Sequence, residues 1–254
     1  MSDPSDEASR DRSGGDGAPA NGAALATITV TLLVALGIAW AGSQGTARIG
    51  GLPVFAVCAV LAFAINWIVF VPSFLARTEH WFDLTGSLTY LSLVATALLL
   101  VPAPDPRAWL LAALVAIWAG RLGTFLFLRI RRAGKDGRFD TLKQHALPFL
   151  QVWTLQGLWA LLTLSCGLAA ITAPDAAPLG LWAAVGTLTW AAGFAIEAVA
   201  DRQKSAFKAD PANEGRFITS GLWAWSRHPN YFGEIVLWIG VALVALPTLE
   251  GWRW

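Results

Sequence analysis

Pro229 to Pro247 reads PNYFGEIVLWIGVALVALP. After Glu234 the stretch is apolar without a break, and it is long enough for the roughly 20 residues an α-helix needs to cross a bilayer. Pro229 suits a first helical turn, where its missing N–H would have no partner anyway. The stretch therefore reads as a membrane-spanning helix. Yet an Asn, a Tyr and a Glu stand in its first two turns, and a charged group in hydrocarbon costs about 2.5–3.5 kcal/mol on insertion scales.

Working back along the chain, six more apolar runs lie at about 22–42, 51–75, 84–104, 107–130, 146–172 and 178–200, and the run just quoted completes the set at 229–248. Pro and Gly cluster between them, as in GGLP, VPAPDP and TAPDAAPLG, which mark turns. Of the 254 residues, 56% are hydrophobic and 14% charged, against about 25% charged in a soluble domain. The fold class is all-α: a polytopic transmembrane bundle of about seven spans, with the lipid bilayer as its solvent. Residues 1–21 are polar and rich in Gly, Ala and Ser, and read as a disordered tail. Residues 22–254 form the helical domain.

Lys and Arg are unevenly shared among the loops. Arg131, Arg132, Lys135, Arg138 and Lys143 follow the fourth span, and Arg202, Lys204, Lys208, Arg216 and Arg227 follow the sixth. Arg48, Arg107 and Arg253 fall on the other side if the spans alternate. By the positive-inside tendency the basic loops and the N-terminus are cytoplasmic. The net charge of +1 argues against a nucleic-acid partner. Cys58 and Cys166 sit in apolar runs with no ligand spacing around them, and His80, His145 and His228 lie far apart, so no metal site is expected.

Arg121, Glu197 and Glu234 fall inside spans. Arg121 and Glu234 are expected to face a shared polar cavity, whereas Glu197 could equally snorkel from the span's last turn. Asp201, Lys204 and Lys208 share a helical face by their spacing. TSGLWAWS, Thr219 to Ser226, reads as a short interfacial piece, capped by Thr219 or Ser220, with Trp223 and Trp225 at headgroup level. Cations, an imidazole and an amide are thus gathered at one mouth of the bundle among aromatic rings. Guanidinium groups match phosphate oxygens, and flat rings suit a planar base. The chain has neither a GxGxxG nor a GxxxxGK[ST] element, so a nucleotide would have to bind the helical bundle itself.

Two stretches carry a family resemblance: RLGTFLFLRIRRAGKDGRFD, Arg121 to Asp140, and EGRFITSGLWAWSRHPNYFGEIVLWIG, Glu214 to Gly240. They resemble the bacterial branch of the steroid 5-alpha-reductase-like membrane family, as does RTEHWFDLTGSLTYL from Arg77 to Leu91. The family's relatives include sterol reductases and isoprenylcysteine carboxyl methyltransferases. The resemblance implies an integral protein of a bacterial inner membrane that uses NADPH to reduce a C=C bond in a lipid-like small-molecule substrate. It places Arg121, Asp201, Lys208, Arg216, Arg227, His228, Asn230, Tyr231 and Glu234 at the cofactor, with Lys208 where an Arg is usual. Steroid reductases carry a Gln–Glu pair in the second span, where this chain has apolar residues around Val69 and Phe70, and a Tyr where it has Trp118. Glu79, Asp83 and Tyr90 are the substitutes for the missing proton donor, with Glu79 and Tyr90 the catalytic candidates. Relatives continue past the last span with a further helical segment, so a chain ending at LEGWRW is expected to lack it. The RHPNY element also resembles that of the methyltransferases, which leaves an S-adenosylmethionine-dependent enzyme as the alternative. A membrane protein that keeps the fold without turnover is the third reading.

Overall fold

The computed structural model describes residues 21–174 and 177–251, so nearly all of the expected tail lies outside the described residues. Among the described residues, seven helices are long and apolar enough to cross a membrane. They are α1 (Asn21–Gly42), α2 (Val54–Leu75), α3 (Phe82–Leu100), α4 (Pro106–Ala133), α5 (Ala146–Ile171), α6 (Leu181–Ala209) and α7 (Pro229–Ala245). Their outer faces present Leu33, Leu36, Ile68, Leu99 and Leu188. Apolar exposure on this scale marks a surface made for lipid.

Two boundaries differ from the expected ones for local reasons. The second span was expected from residue 51, but α2 starts at Val54 because a small hairpin precedes it. Arg48–Ile49 (β1) pairs antiparallel with Leu52–Pro53 (β2). Gly50 and Gly51 both have positive φ, 54° and 84°, as a two-residue hairpin turn of the primed type requires. The sixth span was expected to end near residue 200, but α6 continues to Ala209. That extra length projects Lys204 and Lys208 beyond the apolar part of the bundle on the face that also carries Asp201.

The closest helix pair is α6 and α7. Gly186 and Gly193 on α6 meet Gly233 and Gly240 on α7, so that backbone touches backbone. A Cβ added at Gly233 would lie 2.6 Å from the Glu197 N. Small residues at matching spacing allow this approach in lipid, where no hydrophobic force drives helices together. The consequence is local to the site: Glu197 and Asp201 are pressed against the first turns of α7.

One apolar core runs through the bundle, with Leu93, Leu111, Leu161, Leu164 and Leu237 fully buried. Asn66 and Gln156 form a hydrogen-bonded polar pair between α2, α3 and α5. The Asn66 Nδ2 donates to the Ala62 carbonyl (2.7 Å) and to Thr89 (3.2 Å). The Gln156 Nε2 donates to the Asn66 Oδ1 and to the Phe82 carbonyl, both at 3.0 Å. At the end opposite the basic loops, Asp105 caps α4 by accepting from the Ala108 N–H (2.7 Å). Arg107, expected at the outer start of the fourth span, is buried there and donates to the Val244 and Pro178 carbonyls.

Candidate functional site

Arg121 lies on α4 with its side chain mostly buried. Its Nη2 reaches the Glu197 Oε1 (2.5 Å) and the Asp201 Oδ2 (3.1 Å). These carboxylates are four residues apart on α6, hence on one face. The Trp118 Nε1 donates to the other Glu197 oxygen (3.0 Å), and the Asn230 Nδ2 donates to the Asp201 Oδ1 (3.4 Å). Phe194 lies under the guanidinium, 5.4 Å from its ring centre. Buried charges of this kind persist in a membrane only when paired. Two polar atoms of the cluster nevertheless lack partners: the Arg121 Nε and the Asn230 Oδ1 are buried without a hydrogen bond.

Beside this cluster, at the end bearing the basic loops, is a cavity of about 630 Å³. Lys204, Lys208, Arg216, Arg227 and His228 line it, together with the rings of Phe207, Phe217 and Trp223. The short piece expected at Thr219–Ser226 is a single 3-10 turn, Gly221–Ala224, entered through Ser220, whose side chain makes no capping bond. Trp223 is tied inward, with its indole donating to the Ala200 carbonyl (3.0 Å) and the Lys204 Nζ 4.8 Å over its ring. Trp225 is exposed instead. The Gln203 Oε1 accepts from the Leu222 N–H (3.0 Å) and so fastens the turn to α6. Among the described residues none of Lys204, Lys208, Arg216 and Arg227 forms a salt bridge. A pocket of unneutralised cations walled by aromatic rings fits an anion attached to a planar group.

The expected residues thus divide into three groups. Arg121, Asp201 and Asn230 form one hydrogen-bonded cluster. Lys208, Arg216, Arg227 and His228 line the basic cavity, and the His228 ring stacks on Tyr231 with centroids 5.2 Å apart. Glu234 and Tyr231 line another cavity, of about 730 Å³, between α5 and α7. Glu234 is still close enough to Asp201 and Arg121 to interact with both electrostatically.

Tyr90 is buried on α3 with its ring edge-on to Trp118, centroids 5.0 Å apart. Its hydroxyl lies 2.7 Å from the Thr163 Oγ1. Thr163 spends its own proton on the Trp159 carbonyl (2.8 Å), so Tyr90 donates. Glu79 belongs elsewhere. In the loop between α2 and α3 it accepts from the Lys143 Nζ and the Asp136 N–H, both at 2.8 Å, and no hydrogen bond or ion pair among the described residues joins it to Arg121. Burial pushes its carboxyl up, but Lys143 and the Asp136 N–H outweigh this and hold it below the ordinary carboxylate range. Asp83 pairs with Arg129 (3.2 Å).

Glu197, Trp118, Gln203 and Trp223 were not singled out as site residues. The available signal was spacing: Glu197 precedes Asp201 by one helical turn, and Trp118 precedes Arg121 by three residues.

The profile of a family described as "Protein of unknown function (DUF1295)" matches residues 69–254. A "Probable O-methyltransferase" of Ustilaginoidea virens is 34% identical over 68 residues, covering 27% of this chain and 24% of that protein. An uncharacterized protein of Schizosaccharomyces pombe is 26% identical over 178 residues, covering 58% of this chain and 51% of that one. The chain therefore spans about half or less of the length of these curated relatives. No solved structure matches.

Proposed function

The chain belongs to the DUF1295 family, which is related to the steroid 5-alpha-reductase-like membrane proteins, and from that premise we propose that it is an NADPH-dependent reductase of a C=C bond in a lipid-like substrate. The observation that carries the reading is the basic cavity, where four cations without salt bridges face aromatic walls next to a buried cluster with two unmatched polar atoms. Lys204, Lys208, Arg216 and Arg227 would hold the phosphates, Trp223 and His228 would flank flat rings, and Asn230 and Arg121 would meet polar groups at the buried end. When bound, NADPH supplies a hydride.

The chain's own residues position and protonate. Glu197 and Asp201 fix the Arg121 guanidinium, and Trp118 fixes Glu197. Tyr90 holds a proton on a hydroxyl already aimed at Thr163, beside the cavity between α5 and α7, and is the acid we assign to the second carbon. Glu79 ties two loops at the basic end. That end faces the cytoplasm by the positive-inside tendency, and the membrane is a bacterial inner membrane.

The match to a probable O-methyltransferase favours a second reading, an enzyme using S-adenosylmethionine. Charge separates the two. S-adenosylmethionine carries a sulfonium and no phosphate, so the four cations would repel it or stand idle. Titration of the purified protein in phospholipid nanodiscs with each compound decides. NADPH should bind at least ten times more tightly than S-adenosylmethionine, a difference of about 1.4 kcal/mol or more. Saturable binding of S-adenosylmethionine with none of NADPH would replace this reading with the second.

A further inference from the structure

The cavity between α5 and α7 is the larger of the two and takes no part in nucleotide binding as read above. It opens sideways between two membrane-spanning helices. Trp159, Thr163 and Cys166 line it from α5, and Glu234, Trp238 and Ala242 from α7. From Tyr231 to Ala242 it follows α7 over eleven residue steps, about 16 Å at 1.5 Å per step. Its walls are apolar and aromatic, and Glu234 is the charged group among its lining residues. Glu234 makes no hydrogen bond or ion pair with any described residue. A carboxylate left without a partner at the edge of hydrocarbon calls for a donor.

The surroundings restrict which donor. Near the head of the groove stand three carboxylates, Glu197, Asp201 and Glu234, and one guanidinium, Arg121. Arg121 is already taken by Glu197 and Asp201, so an anionic headgroup finds no free cation there, while a neutral hydroxyl can pair with Glu234. We propose that the groove is a lateral binding site for a single-chain or similarly slender lipid alcohol. Its hydroxyl donates to Glu234, and about 16 Å of apolar body lies along Trp238 and Ala242, admitted directly from the bilayer. The binding claim is independent of any nucleotide. That the occupant is the substrate, an unsaturated lipid alcohol, rests on the reductase reading.

Photo-crosslinking tests it. A dodecanol analogue carrying a diazirine in mid-chain is irradiated with the full chain in phosphatidylcholine nanodiscs without nucleotide, and the adducts are mapped by mass spectrometry. Adducts should concentrate on Trp159, Cys166 and Ala242. Unlabelled dodecanol should compete them away and dodecanoate should not. Glu234→Ala should lower groove labelling about tenfold relative to the lipid-facing Leu33 and Leu36 of α1, as loss of a hydrogen bond to a charged acceptor implies. Glu234→Gln, which keeps an acceptor, should retain most of it. Adducts spread over α1 and the groove alike would mean an ordinary bilayer chain only. Equal competition by alcohol and carboxylate, or undiminished labelling in Glu234→Ala, would also overturn the proposal. Competition on the parent protein decides the matter even if a variant fails to fold. Because nucleotide is absent, a negative result here leaves the NADPH titration untouched, and a failed NADPH titration leaves the groove result standing.

Discussion

Two clusters in this molecule place a buried carboxylate beside a basic side chain, and they serve different ends. In the loops at the basic end, Glu79 is held by Lys143 and the Asp136 N–H, while Asp140 lies 3.2 Å from the same Lys143. Donors there meet acceptors, and the result is a clasp between the loop after α2 and the loop after α4. Within the bundle, one guanidinium serves both Glu197 and Asp201, and the Arg121 Nε and Asn230 Oδ1 remain unmatched. The clasp is complete in itself, whereas the bundle cluster keeps capacity for another molecule. Unmatched buried polar atoms call for an explanation wherever they occur, as at the Arg107 Nε and the Trp190 indole; those of Arg121 and Asn230 belong to a cluster of paired charges near a basic cavity.

The contrast can be broken most severely at Arg121. Arg121→Ala leaves Glu197 and Asp201 buried without their cation, and removing one partner of a buried pair costs about 3–5 kcal/mol. A large fall in the thermal unfolding midpoint, or loss of folded protein from the membrane fraction, is expected. Lys143→Ala should cost less, about 1–3 kcal/mol, because Glu79 retains the Asp136 N–H. Arg129→Ala, which removes the half-exposed partner of Asp83, should cost about 1 kcal/mol or less. Equal effects at Arg121 and Arg129 would erase the distinction.

Acid sharpens it. Glu79 titrates below its ordinary range in the folded protein, so it contributes stability at neutral pH. That contribution is lost as pH falls below the ordinary carboxylate range and through the lower folded value of Glu79. Lys143 titrates above its ordinary range through its bond to Glu79, so its contribution is lost as pH rises past about 10. The unfolding midpoint should fall at both extremes, and the acid limb should shrink in Lys143→Ala. An unchanged acid limb in that variant would show that another group governs it.

The sequence revealed much of this, and the remainder was hidden for identifiable reasons. Hydrocarbon runs bounded by Pro and Gly announce seven helices because lipid leaves the backbone few alternatives. Lys208, Arg216 and Arg227 were legible because cations cluster in few loops. Glu197 was not, because a carboxylate near a helix end can snorkel as easily as pair, and the choice rests on how closely Gly193 lets α7 approach. Glu79 was ambiguous in the opposite sense: an acid flanking the start of the third span can stand in for the missing proton donor, and nothing nearby in sequence announces Lys143, 64 positions later, which holds it. Long-range partners of that sort leave no local pattern.

On the reductase reading the basic cavity holds a phosphorylated nucleotide. The most direct measurement is titration of the parent protein and of Arg216→Ala with NADPH and with NADH, in the same nanodiscs and at fixed ionic strength. Arg216 is an exposed guanidinium of the cavity without a salt bridge among the described residues, and it is the partner we assign to the additional phosphate on the ribose. A charge-assisted bond of that kind is worth about 1.5–3 kcal/mol, or roughly ten- to a hundredfold in Kd. The account predicts that the parent binds NADPH more tightly than NADH by about that factor, and that Arg216→Ala loses most of the preference while NADH affinity changes little. Equal affinities in the parent, or equal losses for both nucleotides in Arg216→Ala, would contradict it.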